Sequence, residues 1–220
     1  QELLPEAIIS CYDSYDDSQL SHLLDWADVV CIGCGLGMGQ ISEKILKNVL
    51  KNVSCPCVID ADGLNLLNRN IELLNQCCAP VILTPHMKEM SRLTGWSIDT
   101  IMEDRFQALD QIIKQSGPDT KSSIICVLKD SRTVVAQTNR QRFVNLAGNN
   151  SMAKGGSGDV LAGTIAGLLA QHMAPFEATT VGVFLHACGG DEAKKSKGSY
   201  SVLARDLIQG MADAMKNAKE

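Results

Sequence analysis

Short apolar runs alternate along the chain with longer segments in which apolar residues recur every three or four positions. The short runs are rich in Val, Ile and Cys and are bounded by Gly, Pro or Asp, which is typical of buried strands. The predicted strands are 28–32, 57–59, 80–83, 123–128, 133–137 and 141–144. The last two are close enough in sequence to pair as a hairpin.

The longer segments have the apolar spacing of helices that cover a core. The predicted helices are 41–50, a short one through Leu64 to Leu67, 88–93 with Gly95 as its stop, 100–115, 159–171, 175–188 and 204–216. We also expect residues 3–10 to be a helix end that runs into a strand. Because strands and helices alternate, the sequence predicts an α/β fold with a mainly parallel central sheet and helices on both faces.

The composition is compatible with one domain over residues 1–220. Hydrophobic residues make up 45% and charged residues 20% of the 220, so the chain can bury a sizeable core. The net charge of −5, without a basic stripe, argues against long nucleic acids as partners. No apolar run reaches the ~18 residues of a membrane helix, and the N-terminal residues have no signal-peptide pattern. We therefore expect no membrane partner.

The nine cysteines are an odd-numbered set, and several stand inside apolar runs such as VVCIG and IICVL. Buried Cys packs as a small hydrophobic residue, so the pattern predicts a protein of the reducing cytoplasm. Cys31 and Cys34 form a CxxC, which could be half of a zinc site, a redox pair or two small residues at a strand end. The sequence has no second pair with matching spacing and no His nearby, which favours the last interpretation.

A glycine-rich turn, residues 155–158, leads directly into an apolar helix. Glycines permit positive φ, so that backbone amides can face one point, and the start of a helix adds its positive end. The turn therefore predicts an anion hole for a phosphoryl group. Asp159, on the first turn, could take a proton from a hydroxyl beside that hole. The alternative is a flexible turn whose Asp is favoured by the helix dipole.

The stretch AGNNSMAKGGSGDVLAG, residues 147–163, resembles the signature of the NAD(P)H-hydrate dehydratases, a family of the ribokinase-like superfamily. Four further stretches match this family in the same order. They are GCGLG (33–37), where the family usually has GPGLG, DADGLN (60–65), LTPHMKEMSRLTG (83–95) and VLKDSRT (127–133). The resemblance covers nearly all of the chain and implies a ribokinase-like fold.

The resemblance also implies roles for individual residues. Asp159 is the expected catalytic base, which activates the substrate hydroxyl. The expected binding residues for the hydrated nicotinamide cofactor are Gly35, Gly37, His86, Glu89, Arg92 and Asp159. The expected binding residues for the adenine nucleotide are Lys129, Ser131, Thr133, Asn149, Met152, Lys154, Gly155, Gly156, Ser157 and Gly158. No residue is assigned as a metal ligand.

The activity implied by the resemblance is dehydration of the S-epimer of hydrated NAD(P)H to NAD(P)H. ADP or ATP, with Mg²⁺, phosphorylates the ring hydroxyl, and loss of phosphate restores the double bond. The resemblance further implies a homo-oligomer and leaves open whether an epimerase domain precedes this one. One alternative function is a kinase of the same fold that acts on a thiazole, a pyridoxine-like compound or a sugar. Another is a nucleotide-binding module without catalysis.

Several of these residues also have a purely structural interpretation. His86 could be a structural residue at a strand end, and Lys129 a solvated charge. Glu89 and Arg92 are three positions apart, so they could form a surface helix pair. The two carboxylates of DADG, residues 60–63, could hold Mg²⁺ or cap the short helix that follows.

The chain departs from the family pattern in several places. The family usually opens with a strand, a glycine-rich substrate loop and a helix that have no counterpart here, so we expect an N-terminally truncated chain that is inactive without that segment. Cys34 stands for the usual Pro, and Met87-Lys88 and Asn150-Ser151 each stand for a usual Pro-Gly. Lys154 stands for a common Thr, and its charge is expected to strengthen phosphate binding.

Overall fold

A six-stranded sheet forms the centre of the computed structural model, which describes residues 4–12, 14–115, 123–138 and 141–218. The strands are β1 (Val30–Ile32), β2 (Cys57–Ile59), β3 (Val81–Leu83), β4 (Ile124–Leu128), β5 (Val134–Gln137) and β6 (Arg142–Val144), in that spatial order. Strands β1 to β4 are parallel, whereas β5 and β6 continue the sheet as an antiparallel hairpin. The prediction of a mainly parallel sheet with a terminal hairpin is confirmed.

Within the described ranges, nine α-helices surround this sheet. They are α1 (Asp17–Trp26), α2 (Gln40–Asn52), α3 (Ala61–Leu67), α4 (Met87–Thr94), α5 (Ile98–Glu103), α6 (Arg105–Gln115), α7 (Ser157–Ala170), α8 (Pro175–Lys197) and α9 (Ala204–Asn217). Two 3₁₀ helices, Ile71–Gln76 and Asn150–Met152, lie in the connections. No helix among these residues is long and apolar enough to cross a membrane.

The two faces of the sheet have separate cores because successive strand residues point to opposite sides. In β2, Cys57 and Ile59 pack with α2 to α6, whereas Val58 between them packs with α7 and α8. Ile82 of β3 and Ile125 of β4 face the same side as Val58. Helices therefore cover both faces, as the near-continuous apolar strands predict.

Three of the predicted elements are wrong or incomplete. The described part of the first segment, residues 4–10, contains neither helix nor strand. The helix predicted over 100–115 is two helices, because Asp104 has an extended backbone and its carboxylate accepts a hydrogen bond from the Gln107 amide, 2.9 Å away, at the start of α6. The helix predicted to end at residue 188 continues to Lys197.

A close backbone approach joins the loops that follow β1 and β2. Gly33 has φ +122°, and a Cβ there would lie 1.8 Å from the Asp60 carbonyl oxygen. Only glycine combines this conformation with this contact. The first glycine of GCGLG therefore places its loop directly against DADG at the carboxyl edge of the sheet, where ligands of parallel sheets bind.

Helix α9 packs on α8 through a second close approach, between Gly189 and Gly210. Gly210→Ala should lower the free energy of unfolding by about 1–3 kcal/mol, because the new Cβ would lie 2.1 Å from the Gly189 carbonyl oxygen. Chemical denaturation measures the change. In the control Gly167→Ala, on α7, the Cβ meets nothing within 4 Å, so stability should stay equal or rise by up to about 1 kcal/mol. Equal stability of both variants would contradict the prediction.

Candidate functional site

A cavity of about 770 Å³ opens at the carboxyl edge of the sheet. It lies between the turn after β4, the start of α7 and one face of α8. Its polar lining includes His86, Lys129, Asp130, Ser131, Thr133, Asn145, Asn149, Asn150, Lys154, Ser157 and His186. Its apolar lining includes Met152, Leu161, Val183 and Ala187. A cavity of this size, with an apolar floor and few polar groups, is typical of sites for small molecules and cofactors.

The glycine-rich turn of residues 155–158 borders this cavity and begins α7. Gly156 is the N-cap, with φ 84°, and no side chain caps the helix. The Ser157 amide donates to the Lys154 carbonyl oxygen over 3.2 Å. Among the described residues, the Gly158 and Asp159 amides have no backbone acceptor. Free amides at the positive end of a helix can hold a phosphoryl group, so the turn has the chemistry of the predicted anion hole.

Asp159 stands on the first turn of α7 and is exposed. Ligand atoms of Asp159, Asp60 and Cys34 lie within 4.8 Å of one another, so the turn and the GCGLG loop meet at this carboxylate. Burial, the hydrogen bond to Asp159 and its negative charge raise the pKa of Cys34 to about 12. The thiol that replaces the family's Pro is therefore protonated at neutral pH and can donate to Asp159.

A buried ion pair lies under the same turn. The Lys129 Nζ and the Asp60 Oδ1 are 2.6 Å apart, and Asp60 is 2% exposed. A Cβ at Gly158 would come within 3.3 Å of both side chains. The structure gives Asp60 no side-chain capping bond, so the capping interpretation of this carboxylate is wrong. Lys129 is also a paired group, not a solvated charge.

His86 caps α4. Its Nδ1 accepts hydrogen bonds from the amides of Lys88 and Glu89, over 3.1 and 3.2 Å, and Glu89 Oε2 accepts one from the His86 amide over 2.8 Å. Glu89 is 5% exposed, and its Oε2 lies 4.0 Å from the Lys129 Nζ. Arg92 Nη1 donates to Asn65 Oδ1 over 2.7 Å. The interpretation of Glu89 and Arg92 as a surface pair is therefore wrong.

The GCGLG loop is built on two further glycines. Gly35 and Gly37 both have positive φ, 68° and 78°. The Gly37 amide donates to Asp62 Oδ2 over 2.9 Å, so this second carboxylate of DADG fixes the loop. Both glycines therefore shape the loop that faces Asp159.

The structure separates the predicted residues into two groups. Of the predicted nucleotide residues, Lys129, Ser131, Thr133, Asn149, Met152, Lys154, Ser157 and Gly158 line the cavity, and Gly155 and Gly156 stand in its bordering turn. Of the predicted substrate residues, His86 lines the cavity, whereas Gly35, Gly37, Glu89, Arg92 and Asp159 lie outside its lining. Their individual roles remain predictions.

Several residues of this region were not predicted, among them Asn145, His186 and Asp191. Asn145 and His186 line the cavity, and Asp191 binds the loop before the glycine turn. Asn145 is 5% exposed, and its Oδ1 has no hydrogen-bond partner among the described residues. For His186 and Asp191, the signal in the sequence was a His and an Asp within the apolar helix that begins at Pro175.

The model of the NAD(P)H-hydrate dehydratase family matches residues 1–212 of this chain. The chain belongs to the NAD(P)H-hydrate dehydratase family. The resemblance seen in the sequence, with its ribokinase-like fold, is thus confirmed.

Two relatives illustrate the range of lengths in the family. The chain is 37% identical over 193 residues to the bifunctional NAD(P)H-hydrate repair enzyme Nnr of Moorella thermoacetica, and this match covers 88% of the chain but 35% of the relative. It is 35% identical over 222 residues to the ADP-dependent (S)-NAD(P)H-hydrate dehydratase of Neisseria meningitidis, covering 99% of the chain and 73% of the relative. The chain therefore spans about a third of the bifunctional relative.

A solved structure has the same architecture. The ADP/ATP-dependent NAD(P)H-hydrate dehydratase of Bacillus subtilis, co-crystallised with ATP and Mg²⁺, superposes with a TM-score of 0.72 at 28% identity. The match covers 87% of this chain and 65% of that one. The family and the fold are thus supported by sequence and by structure.

Lys154→Ala should raise the nucleotide dissociation constant by about threefold to tenfold, because a charge-assisted phosphate contact is lost. Lys154 is exposed, lines the cavity and has no ion-pair partner among the described residues. Isothermal titration calorimetry with ADP or ATP measures the change, which should shrink at high salt. The exposed Lys216→Ala on α9 is the control. An unchanged constant for Lys154→Ala would refute the prediction.

The free energy of unfolding of this chain should fall below neutral pH because of His186, which is 8% exposed. Burial lowers the pKa of His186 to about 4, whereas an unfolded His titrates near 6.5. The unfolded chain therefore binds more protons between these values, so this contribution is complete above about pH 6.5 and is lost as the pH falls toward 4. In His186→Gln, urea unfolding should show a shallower decline over this window. The exposed His22→Gln should keep the wild-type decline; a wild-type decline in His186→Gln would contradict the assignment.

Proposed function

We propose that this domain, completed by the opening segment that the family pattern includes, carries out the ADP- or ATP-dependent dehydration of the S-epimer of hydrated NAD(P)H. The observation that carries the proposal is the position of Asp159, on the first turn of α7 beside the free amides of the anion hole and within reach of the GCGLG loop. The names of the Neisseria meningitidis and Bacillus subtilis relatives support the same activity. The second activity of bifunctional relatives is not part of the proposal.

In the first step, the Asp159 carboxylate takes the proton of the ring hydroxyl. The hydroxyl oxygen then attacks the terminal phosphorus of the nucleotide, and the bond from that phosphorus to the leaving ADP or AMP oxygen breaks. In the second step, the carbon–oxygen bond breaks and phosphate departs with the bonding electrons. The neighbouring ring carbon loses a proton to the departing phosphate or to water, which restores the double bond. Phosphorylation thus converts hydroxide, a poor leaving group, into phosphate.

The protein groups around Asp159 suit the first step. The amides of Gly158 and Asp159 can bind the phosphoryl oxygens, and Lys154 adds a positive charge at the cavity wall. The Cys34 thiol can donate to the carboxylate, which holds Asp159 beside the GCGLG loop.

The donor set is compatible with Mg²⁺ held chiefly by the nucleotide phosphates. Asp60 is the second carboxylate near Asp159, and hard carboxylate oxygens suit this ion. Its Oδ1 is already paired with Lys129, so its Oδ2 would be the oxygen available to hold the ion. When bound, Mg²⁺ neutralises phosphate charge. Cys34 does not fit as a ligand, because Mg²⁺ prefers hard oxygen donors to sulfur.

We also infer that residues 1–220 form one ribokinase-like domain that works as a homo-oligomer, as the family resemblance implies. The nine cysteines, all of them free thiols, support a reducing cytoplasm as its location. A small-molecule kinase would use the same Asp159 and anion hole but release a stable phosphorylated product.

Asp159→Asn should lower the turnover of hydrated NADH by about 100-fold or more, because the amide cannot accept the hydroxyl proton. With the family's opening segment joined to the chain, absorbance at 340 nm with ADP or ATP and Mg²⁺ follows the reaction, and calorimetry should show nucleotide affinity within about threefold of wild type. The control is Asp213→Asn, an exposed Asp on α9.

Two outcomes would contradict the proposal. Unchanged turnover in Asp159→Asn would rule out the role of Asp159 as the base. If the wild-type chain with the family's opening segment binds nucleotide without restoring NADH, and accumulates a phosphorylated acceptor with other hydroxyl compounds, the kinase alternative is identified.

A further inference from the structure

The side-chain amide of Asn149 forms all its hydrogen bonds within the protein, although the residue lines the cavity. Its Nδ2 donates to the Gly190 carbonyl oxygen over 3.0 Å and to Asp191 Oδ1 over 2.8 Å. Its Oδ1 accepts from the Ser151 amide over 3.0 Å and from the Ser151 hydroxyl over 2.5 Å. An amide side chain has two donors and two acceptor positions. All four are therefore occupied, and none is left for a nucleotide.

Asp191, on α8, holds the same loop with both carboxylate oxygens. Besides the bond to Asn149, its Oδ2 accepts a hydrogen bond from the Gly148 amide over 3.0 Å. Gly148 has φ 95°, a conformation that side chains other than glycine rarely adopt. Hydrogen bonds to a charged acceptor are stronger than neutral ones. One carboxylate thus fixes two consecutive residues of the loop, the first of which, Gly148, has a left-handed backbone conformation.

Met152, at the end of the same loop, packs against α8 as well. A Cβ at Gly190 would lie 2.2 Å from the Met152 Sδ, so the side chain lies directly on the helix backbone. Met152 is also part of the cavity wall. The loop therefore contacts α8 at both ends, and its inner surface forms one side of the cavity.

We propose that Asp191 is a positioning residue for nucleotide binding, which acts through Asn149 and Gly148 and does not itself contact the nucleotide. Asp191 does not line the cavity, so its effect must be transmitted by the loop of residues 148–152. This proposal rests on the proposed function only in taking the cavity as the nucleotide site. It also changes the expected role of Asn149 from a nucleotide contact to a part of the cavity wall.

The test compares Asp191→Asn with wild type in calorimetric titrations with ADP and ATP in the presence of Mg²⁺. The variant amide has one oxygen acceptor for two donors, so the Gly148 amide or the Asn149 amide loses its partner. We expect the nucleotide dissociation constant to rise by about tenfold. The KM for hydrated NADH and the kcat at saturating nucleotide should stay within about twofold. Glu192→Gln is the matched control, because the next carboxylate on α8 pairs with Lys195.

The conservative variant Asp191→Glu keeps a carboxylate for both donors and should retain part of the affinity that Asp191→Asn loses. It carries the test if Asp191→Asn does not fold. Unchanged nucleotide affinity in Asp191→Asn, or a fall in stability without a change in affinity, would overturn the proposal, as would an affinity of Asp191→Glu no higher than that of Asp191→Asn. Calorimetry needs no hydrated cofactor, so a chain that carries the family's opening segment and is still inactive as a dehydratase would refute the proposed function and leave this result intact.

Discussion

The ion pair between Asp60 and Lys129 is the interaction on which the site depends. It joins the carboxyl ends of β2 and β4, two strands apart in the sheet, and both side chains are largely shielded from water. A buried charge without a partner would cost several kcal/mol, roughly 3–5 when one member of such a pair is removed. The pair therefore constrains the positions of the loops that follow these strands. It also leaves only a glycine-sized space above it, which Gly158 fills.

Two chemical environments meet across this pair. On one side, the start of α7 presents amides and positive potential to an anion. On the other side, the GCGLG loop is held against DADG by Gly33 and by the bond from Gly37 to Asp62. Asp159 belongs to the helix but faces the loop. A phosphoryl donor and a hydroxyl acceptor bound on the two sides would therefore meet at one carboxylate, which is the arrangement that phosphoryl transfer requires.

Many polar side chains at the carboxyl edge of the sheet hydrogen-bond to backbone groups and do not face a ligand. His86 and Glu89 cap α4, Asp62 fixes a loop amide, and Asn149 spends all its hydrogen bonds on its own loop and on α8. Loops of irregular conformation have amides and carbonyls that secondary structure does not satisfy, and buried ones need partners. A binding residue inferred from a family pattern can therefore act by building the wall of a site.

Neighbouring residues alone were enough to predict the α/β class, the strands, most helices and the glycine-rich turn at the start of α7, because local periodicity and glycine chemistry lie in neighbouring residues. They also identified the family, whereas the role of Asp159 as a base stays a prediction. The sequence did not determine that Asp104 divides a helix, since apolar spacing continues on either side of it. Only the tertiary structure paired Asp60 with Lys129, Arg92 with Asn65 and Asp191 with Gly148 and Asn149. These partners are distant in sequence, and a polar side chain's partner is decided by which backbone groups the packed fold leaves unsatisfied beside it.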